Sequence, residues 1–118
     1  MFSTTYKFKS QNVFKKRLEE SERICKKYED RIPIIVEVAE GSNITLDKTK
    51  YLVPRDLTVS QFMYVIRKRV NLSDDNALFI FYDGTLKTQT DLLSAVYKAH
   101  RDADGFLYAT VSQESTFG

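Results

Sequence analysis

The chain has 118 residues, of which 42% are hydrophobic and 29% charged, a composition typical of one globular domain with short extensions. A single cysteine, Cys25, and a single histidine, His100, exclude an intramolecular disulfide and a zinc site built from cysteine and histidine clusters. The net charge of +2 gives no indication of nucleic-acid binding. No segment approaches the roughly 18 apolar residues of a membrane span, and the N-terminus lacks a signal-peptide pattern. We therefore expect a soluble intracellular protein without metal, cofactor or nucleic-acid partner.

The N-terminal segment is the most basic part of the chain, with nine Lys and Arg against five Asp and Glu up to Arg31. Apolar and small residues recur there at helical spacing, which predicts a helix over residues 11–27. The stripe consists of Phe14, Leu18, Ser21, Cys25 and Tyr28. We treat residues 1–27 as an N-terminal helical extension.

Two strands are predicted next. Residues 32–39 are β-branched and almost continuously apolar, which is typical of a strand covered on both faces. Lys50 to Val53 form a second strand, and Pro54 follows it. Because proline cannot donate to a ladder, Pro54 indicates a sheet edge.

Thr58 and Gln61 have the spacing of a capping box and predict a helix that ends near Val70. Its core stripe is predicted to comprise Val59, Met63, Ile66 and Val70. A second stripe, Phe62, Val65 and Arg69, is predicted to face elsewhere.

The last third of the chain predicts a strand over 77–82 closed by an Asp83-Gly84 turn, a helix capped by Thr90, and a final strand over 106–111. The element order is that of an α+β ubiquitin-like β-grasp, with the N-terminal helix packed on the second face of the sheet. We assign residues 28–111 to this core and residues 112–118 to a flexible C-terminal tail.

Three segments carry a family resemblance: KYEDRIPIIVE at 27–37, KYLVPRDLTVSQF at 50–62, and FLY at 106–108 with ESTFG at 114–118. Together they closely resemble the autophagy ubiquitin-like modifiers, the family that includes the GABA-receptor-associated protein. The resemblance implies that Gly118 is joined to phosphatidylethanolamine on autophagosomal membranes by E1-like and E2-like enzymes. It also implies a processing cysteine protease, with Phe117 recognised by the protease and the E1-like enzyme. After lipidation, family members lie on the autophagosome and in the vacuole or lysosome.

An edge strand at Lys50 to Leu52 leaves backbone groups free to pair with an extended peptide, whose alternate side chains need pockets. The resemblance implies that these pockets bind cargo receptors carrying an aromatic-x-x-aliphatic motif. By family match, the aromatic pocket comprises Glu20, Ile24, Pro33, Ile35, Lys50, Leu52 and Phe106. The aliphatic pocket comprises Tyr51, Val53, Pro54, Leu57, Phe62 and Val65. Arg31, Lys48 and Arg69 would meet acidic residues that flank the motif.

Each of these sites has a plainer interpretation. Gly118 can be an arbitrary chain end without a function. The pocket residues can be ordinary core residues, and the cations can be solvent-exposed residues without a partner. The basic N-terminal residues can contact anionic lipid, tubulin or an E2-like enzyme, or they can form only a solvated helix face. Those residues are Lys7, Lys9, Lys15, Lys16 and Arg17, beside Tyr6 and Phe8, which can dock on apolar surface instead.

Two other functional classes are considered. An enzyme would use Cys25 as nucleophile and His100 as base, but Cys25 lies on the apolar stripe, away from a helix N-terminus that would lower its pKa. We therefore predict that the chain is not an enzyme, that Cys25 is inert, and that His100 is a favourable charge in the last turn of its helix. A non-conjugated adaptor for vesicle or microtubule trafficking would use the same groove without lipidation.

Overall fold

Two helices, rather than the single predicted one, precede the sheet. The structure, a computed structural model, describes residues 6–73 and 75–114. Helix α1 spans Lys7–Gln11 and helix α2 spans Phe14–Lys27. The prediction of one helix starting at residue 11 is wrong because Asn12 has an extended backbone, with φ −136° and ψ 127°, and ends α1.

Within the described residues, five strands form one mixed sheet. The strands are β1 (Arg31–Val38), β2 (Lys50–Pro54), β3 (Phe79–Tyr82), β4 (Thr85–Leu86) and β5 (Leu107–Ser112). Their order is β2-β1-β5-β3-β4, and β5 runs parallel to β1 while every other neighbouring pair is antiparallel. The last strand therefore lies in the middle of the sheet, and β2 lies at an edge, as Pro54 predicts.

Two further helices cover one face of the sheet: α3, Val59–Arg67, and α4, Leu93–His100. The predicted capping box is confirmed, since Gln61 N donates to Thr58 Oγ1 at 3.1 Å and Thr58 N to Gln61 Oε1 at 2.9 Å. The predicted cap at Thr90 is wrong. Helix α4 begins after Leu92 without a side-chain cap, and Leu93 N instead donates to the Leu57 carbonyl at 2.8 Å.

Strand β1 is buried on both faces, as its apolar run predicts. Ile32, Ile34 and Val36 pack into the main core beneath α3 and α4. Ile35 faces the other way, into a smaller cluster with Tyr6, Phe106 and Tyr108, against which Phe8 of α1 and Ile24 of α2 pack. The N-terminal helices thus cover the second face, and the architecture is the predicted α+β β-grasp.

Several boundaries differ from the prediction. Helix α3 ends at Arg67 rather than near Val70, and β3 begins at Phe79 rather than at residue 77. Asp83 and Gly84 form the expected turn, with φ of 52° and 77°, but they also lead into the short strand β4, which was not predicted. Strand β5 continues to Ser112, which is buried. Ser112 therefore belongs to the sheet and not to the tail.

Candidate functional site: an open strand edge with two pockets

Strand β2 offers an unpaired backbone edge. Its register with β1 places Leu52 opposite Pro33 and Lys50 opposite Ile35. Thr49 accepts from Val36 N, and Arg55 N donates to the Asp30 carbonyl, so the odd-numbered residues of this segment bond inward to β1. Because inward and outward bonding alternate along an antiparallel strand, the amide and carbonyl groups of Lys50 and Leu52 point outward. An extended peptide can pair with these groups.

Side chains on β2 alternate between the two faces of the sheet. Tyr51 and Val53 are buried in the main core, whereas Lys50 is exposed and Leu52 partly exposed on the face that carries α2. A peptide on this edge therefore meets different walls on its two sides, as alternate side chains of a strand require.

The residues predicted for the aromatic pocket lie on the α2 side of the sheet. Pro33, Ile35 and Phe106 are buried there and can form only a floor, whereas Glu20, Ile24, Lys50 and Leu52 are partly or fully exposed. Leu52 and Pro33 are register partners, as are Lys50 and Ile35. Ile35 shares the smaller cluster with Phe106 and Ile24. Lys50 Nζ lies 2.9 Å from Glu20 Oε2, and this ion pair connects β2 to α2.

Phe8 belongs to this pocket, and the family match did not include it. Its ring centroid lies 5.3 Å from that of Phe106 and 5.2 Å from Lys50 Nζ. Both Phe106 and Lys50 are pocket residues, so α1 forms part of the wall. A separate cavity of about 270 Å³, lined in part by Phe8, Glu37 and Thr49, lies beside α1.

Two contacts hold α1 on the sheet. The Glu37 carboxylate accepts from the backbone amides of Lys7 and Phe8 at 2.8 and 2.9 Å, where the first amides of a helix lack partners. Lys9 Nζ lies 2.5 Å from Asp102 Oδ1 and 4.6 Å from the Tyr108 ring centroid. Burial raises the pKa of Asp102, but hydrogen bonds from Lys9 and the Asp104 amide outweigh it, and the net pKa is lowered.

The second pocket differs from its prediction. The stripe Phe62, Val65, Arg69 was predicted to face away from the core, yet Phe62 is fully buried within it. Tyr51 contacts Phe62 edge-on, with ring centroids 5.6 Å apart, and Val53 is buried in the same cluster. These three residues can form only a floor, and the accessible walls are Leu57, Val65 and Pro54.

Tyr51 has an unusual hydroxyl at this floor. The hydroxyl is buried and has no hydrogen-bond partner among residues 6–73 and 75–114. Burial raises the pKa of Tyr51 to about 12, partly opposed by Arg69. The phenol therefore stays protonated at neutral pH.

The three predicted flanking cations are exposed, and each has a weak partner. Arg31 Nη1 donates to the Leu52 carbonyl at 3.3 Å, Lys48 Nζ lies 5.2 Å from the Tyr51 ring centroid, and Arg69 lies 3.7 Å from Asp47. The Leu52 carbonyl is one of the open edge groups, so a peptide strand must displace Arg31 to reach it. Exposed pairs of this kind contribute little free energy and exchange readily.

The basic N-terminal surface is smaller than the sequence suggests. Lys9 pairs with Asp102, and Arg17 pairs with the buried Asp104 at 3.1 Å. Lys7, Lys15 and Lys16 remain exposed. Only these three of the five residues considered above are available to an acidic partner.

The residues of the enzymatic alternative lie in separate contacts. Cys25 is partly buried near the end of α2, with Sγ 3.9 Å from the Tyr97 hydroxyl. His100 Nδ1 lies 3.5 Å from Asp83 Oδ2. No cluster of potential metal ligands occurs among the described residues, and in that part of the chain no helix is both long and apolar enough to cross a bilayer. Phe117 and Gly118 lie outside the described residues.

Comparison with known proteins identifies the family. The family model described as "Autophagy protein Atg8 ubiquitin like" matches residues 16–118. The chain belongs to the Atg8 family. Proteins named Autophagy-related protein 8 from Cochliobolus heterostrophus and Neurospora crassa are each 58% identical over 113 residues, which is 95% of this chain and 95% and 93% of theirs.

A solved Atg8 structure agrees with the fold. The crystal structure of Trypanosoma brucei ATG8 aligns with a TM-score of 0.88 at 40% identity, over 97% of this chain and 99% of that one. The predicted family resemblance and the ubiquitin-like fold are therefore confirmed, and the chain is an autophagy-related, ubiquitin-like protein associated with autophagy compartments.

Proposed function

We propose that this Atg8-family protein is a ubiquitin-like modifier that is conjugated through Gly118 to phosphatidylethanolamine and recruits cargo receptors through the groove on β2. The receptor-binding part is supported by the position of β2 at the edge of the described sheet and by the predicted pocket residues that lie beside it. Conjugation rests on family membership and on the terminal Ser-Thr-Phe-Gly sequence.

The proposed conjugation needs an activated carboxyl group. An E1-like enzyme converts the Gly118 carboxylate to an adenylate with ATP, releasing pyrophosphate, and a cysteine thiolate then displaces AMP. The thioester passes to the E2-like cysteine, and the lipid amine attacks it to form an amide and release the thiol. Glycine suits this sequence because it places no side chain beside the carbonyl under attack. Phe117 would be recognised by the E1-like enzyme and the processing protease.

Receptor binding would use β-strand addition. The backbone of Lys50 and Leu52 pairs with the peptide, its aromatic residue enters the pocket between α2 and β2, and its aliphatic residue contacts Leu57 and Val65. Arg31, Lys48 and Arg69 would attract acidic residues beside the motif, which increases the association rate more than the affinity. Once lipidated, the protein would hold such receptors on autophagosomal membranes and travel with them to the vacuole or lysosome.

Reconstitution tests the conjugation. The chain is incubated with E1-like and E2-like enzymes, ATP and liposomes containing phosphatidylethanolamine, and the product is detected by mass. We expect an adduct that depends on ATP and is absent for a variant lacking Gly118. An equal adduct from that variant would refute Gly118 as the attachment point, and no adduct from either chain would favour the non-conjugated adaptor.

Titration with an aromatic-x-x-aliphatic peptide tests the groove independently. We expect binding that is lost when the aromatic residue of the peptide is replaced with alanine. Unchanged affinity of the alanine peptide would refute the pocket assignment even if conjugation succeeds.

A further inference from the structure

Asp104 is a fully buried carboxylate beneath α2. It accepts from Phe106 N at 2.9 Å and from the Tyr108 hydroxyl at 2.5 Å, and Arg17 Nη1 of α2 lies 3.1 Å away. One carboxylate thus ties together a pocket residue, a central strand and the helix above them. Burying a charge is costly unless it is satisfied in this way.

The Tyr108 hydroxyl stays protonated in this arrangement. Burial, the hydrogen bond to Asp104 and the charge of that carboxylate raise the pKa of Tyr108 well above its ordinary value. The phenol therefore stays protonated at neutral pH and donates to Asp104.

Gly105 supplies a second constraint beside the first. Its φ of +91° is a conformation that favours glycine. A methyl group built on Gly105 would overlap the Ser21 hydroxyl and lie 3.0 Å from Ser21 Cβ. Ser21 is itself buried and donates to the Asp104 carbonyl. Helix α2 therefore rests directly on the backbone of residues 104 and 105.

This contact is adjacent to the aromatic pocket on both sides. Ser21 follows Glu20 and precedes Ile24 by one helical turn, and both neighbours are pocket walls. Gly105 immediately precedes Phe106, which packs with Ile24 in the smaller cluster. The distance between α2 and Phe106 is thus fixed where Ser21 meets Gly105.

We infer that Asp104 and Gly105 are positioning residues that set the width of the aromatic pocket and hence the size of the aromatic side chain it accepts. The inference rests on the proposed receptor-binding function. A shift of α2 away from the loop would widen or misalign the pocket while leaving the open backbone edge of β2 in place. The variants should therefore distinguish less well between peptides with different residues at the aromatic position. Their contacts with the remainder of the peptide should change less.

The test compares peptides that differ only at the aromatic position, carrying tryptophan, phenylalanine or alanine. For the wild-type chain we expect the tryptophan-to-alanine change to weaken binding by about 30-fold, as for an interface hot spot. For Gly105→Ala we expect a ratio below about 5-fold. Replacing Ser21 with glycine in the same chain removes the collision but not the strain of a non-glycine residue at positive φ, so we expect the ratio to recover in part.

A spectroscopic measurement separates pocket geometry from stability. The chain contains no tryptophan, so the emission of a peptide tryptophan reports its burial alone. At saturating concentrations of protein we expect a smaller blue shift with Gly105→Ala than with the wild-type chain. The matched control is Ile34→Val in the main core, which lowers stability but should leave both the ratio and the shift unchanged.

Asp104→Asn keeps an acceptor for Phe106 N but removes the charge that pairs with Arg17. This variant replaces Gly105→Ala in the test if Gly105→Ala does not fold. A folded variant of either kind that retains the full ratio and the full blue shift would overturn the inference. If the wild-type chain binds none of the peptides, the proposed receptor binding fails and the inference fails with it. Wild-type binding with unaltered variants refutes the inference alone.

Discussion

Replacing Leu52 with alanine tests whether this side chain is a binding wall or part of the core. Leu52 faces α2, opposite Pro33, and is partly exposed. The substitution removes three carbon atoms, worth about 2.4 kcal/mol when fully buried, at about 0.8 kcal/mol for each CH₂ group. The free protein already covers part of the side chain, and a bound peptide covers the rest. We therefore divide the loss between folding and binding, at about 1 to 1.5 kcal/mol each.

Two assays measure the loss of folding free energy and the loss of binding free energy separately. Urea unfolding should show Leu52→Ala losing about 1 to 1.5 kcal/mol, less than the 2 to 5 kcal/mol typical of a fully buried leucine. Isothermal titration with an aromatic-x-x-aliphatic peptide should show affinity reduced about 5- to 10-fold. Ile34→Val is the matched control, because Ile34 is fully buried in the main core. It should lose about 0.5 to 1.5 kcal/mol of stability with unchanged affinity.

The opposite pattern would refute the reasoning. Unchanged peptide affinity together with a stability loss above about 2 kcal/mol would place Leu52 in the core and the groove elsewhere. Conjugation of Leu52→Ala to phosphatidylethanolamine should persist in either case, since Gly118 is unaltered. Loss of conjugation in the folded variant would show that the groove and the tail do not act independently.

Four further variants test separate features. Gly118→Ala should abolish conjugation without shifting the unfolding midpoint, and an adduct from this variant would contradict the assignment. Cys25→Ser should leave conjugation and peptide affinity nearly unchanged, whereas loss of either in the folded protein would reopen the enzymatic interpretation. Thr58→Ala should cost about 1 kcal/mol in urea unfolding by removing the cap of α3; no change would show that the capping box is dispensable. Because the pKa of Asp102 lies below its ordinary value of 3.8, its contact with Lys9 stabilises the protein above that pH and is lost as pH falls. Asp102→Asn should therefore be less stable than wild type at pH 7 and converge with it in acid, and a gap that persists in acid would refute this origin.

Sequence patterns within a few residues correctly predicted the elements that depend mainly on interactions between nearby residues. The Thr58 and Gln61 pair lies within one helical turn, so its capping bonds follow from spacing. The run at residues 32–36 of β1 predicts burial on both faces because all five of its residues are apolar. At Leu93, however, the helix start is fixed by a bond to Leu57 from a distant segment, and no nearby residue signals it.

In the candidate site, too, features that depend on nearby residues were predicted and features that depend on distant segments were not. Pro54 indicates the edge strand, and the resemblance supplies residues that lie near one another on the α2 face of the sheet, where the aromatic pocket is predicted. Helical spacing cannot decide which side of α3 meets the sheet, so it places Phe62 on the second stripe, at the aliphatic pocket, although the residue is fully buried in the main core. The role of Asp104 could not be predicted, since its helix partner Arg17 lies 87 residues away in sequence.

The central position of β5 has a consequence for synthesis. Residues 107–112 are synthesised after the other described strands, yet they pair with β1 on one side and β3 on the other. A ribosome-bound chain can form the β1-β2 and β3-β4 hairpins early, but the strand that joins them emerges only at the end. Until then the edges of β1 and β3 that pair with β5 lack their partner, so the nascent chain holds two incomplete parts of one sheet whose backbone groups are open to wrong pairing.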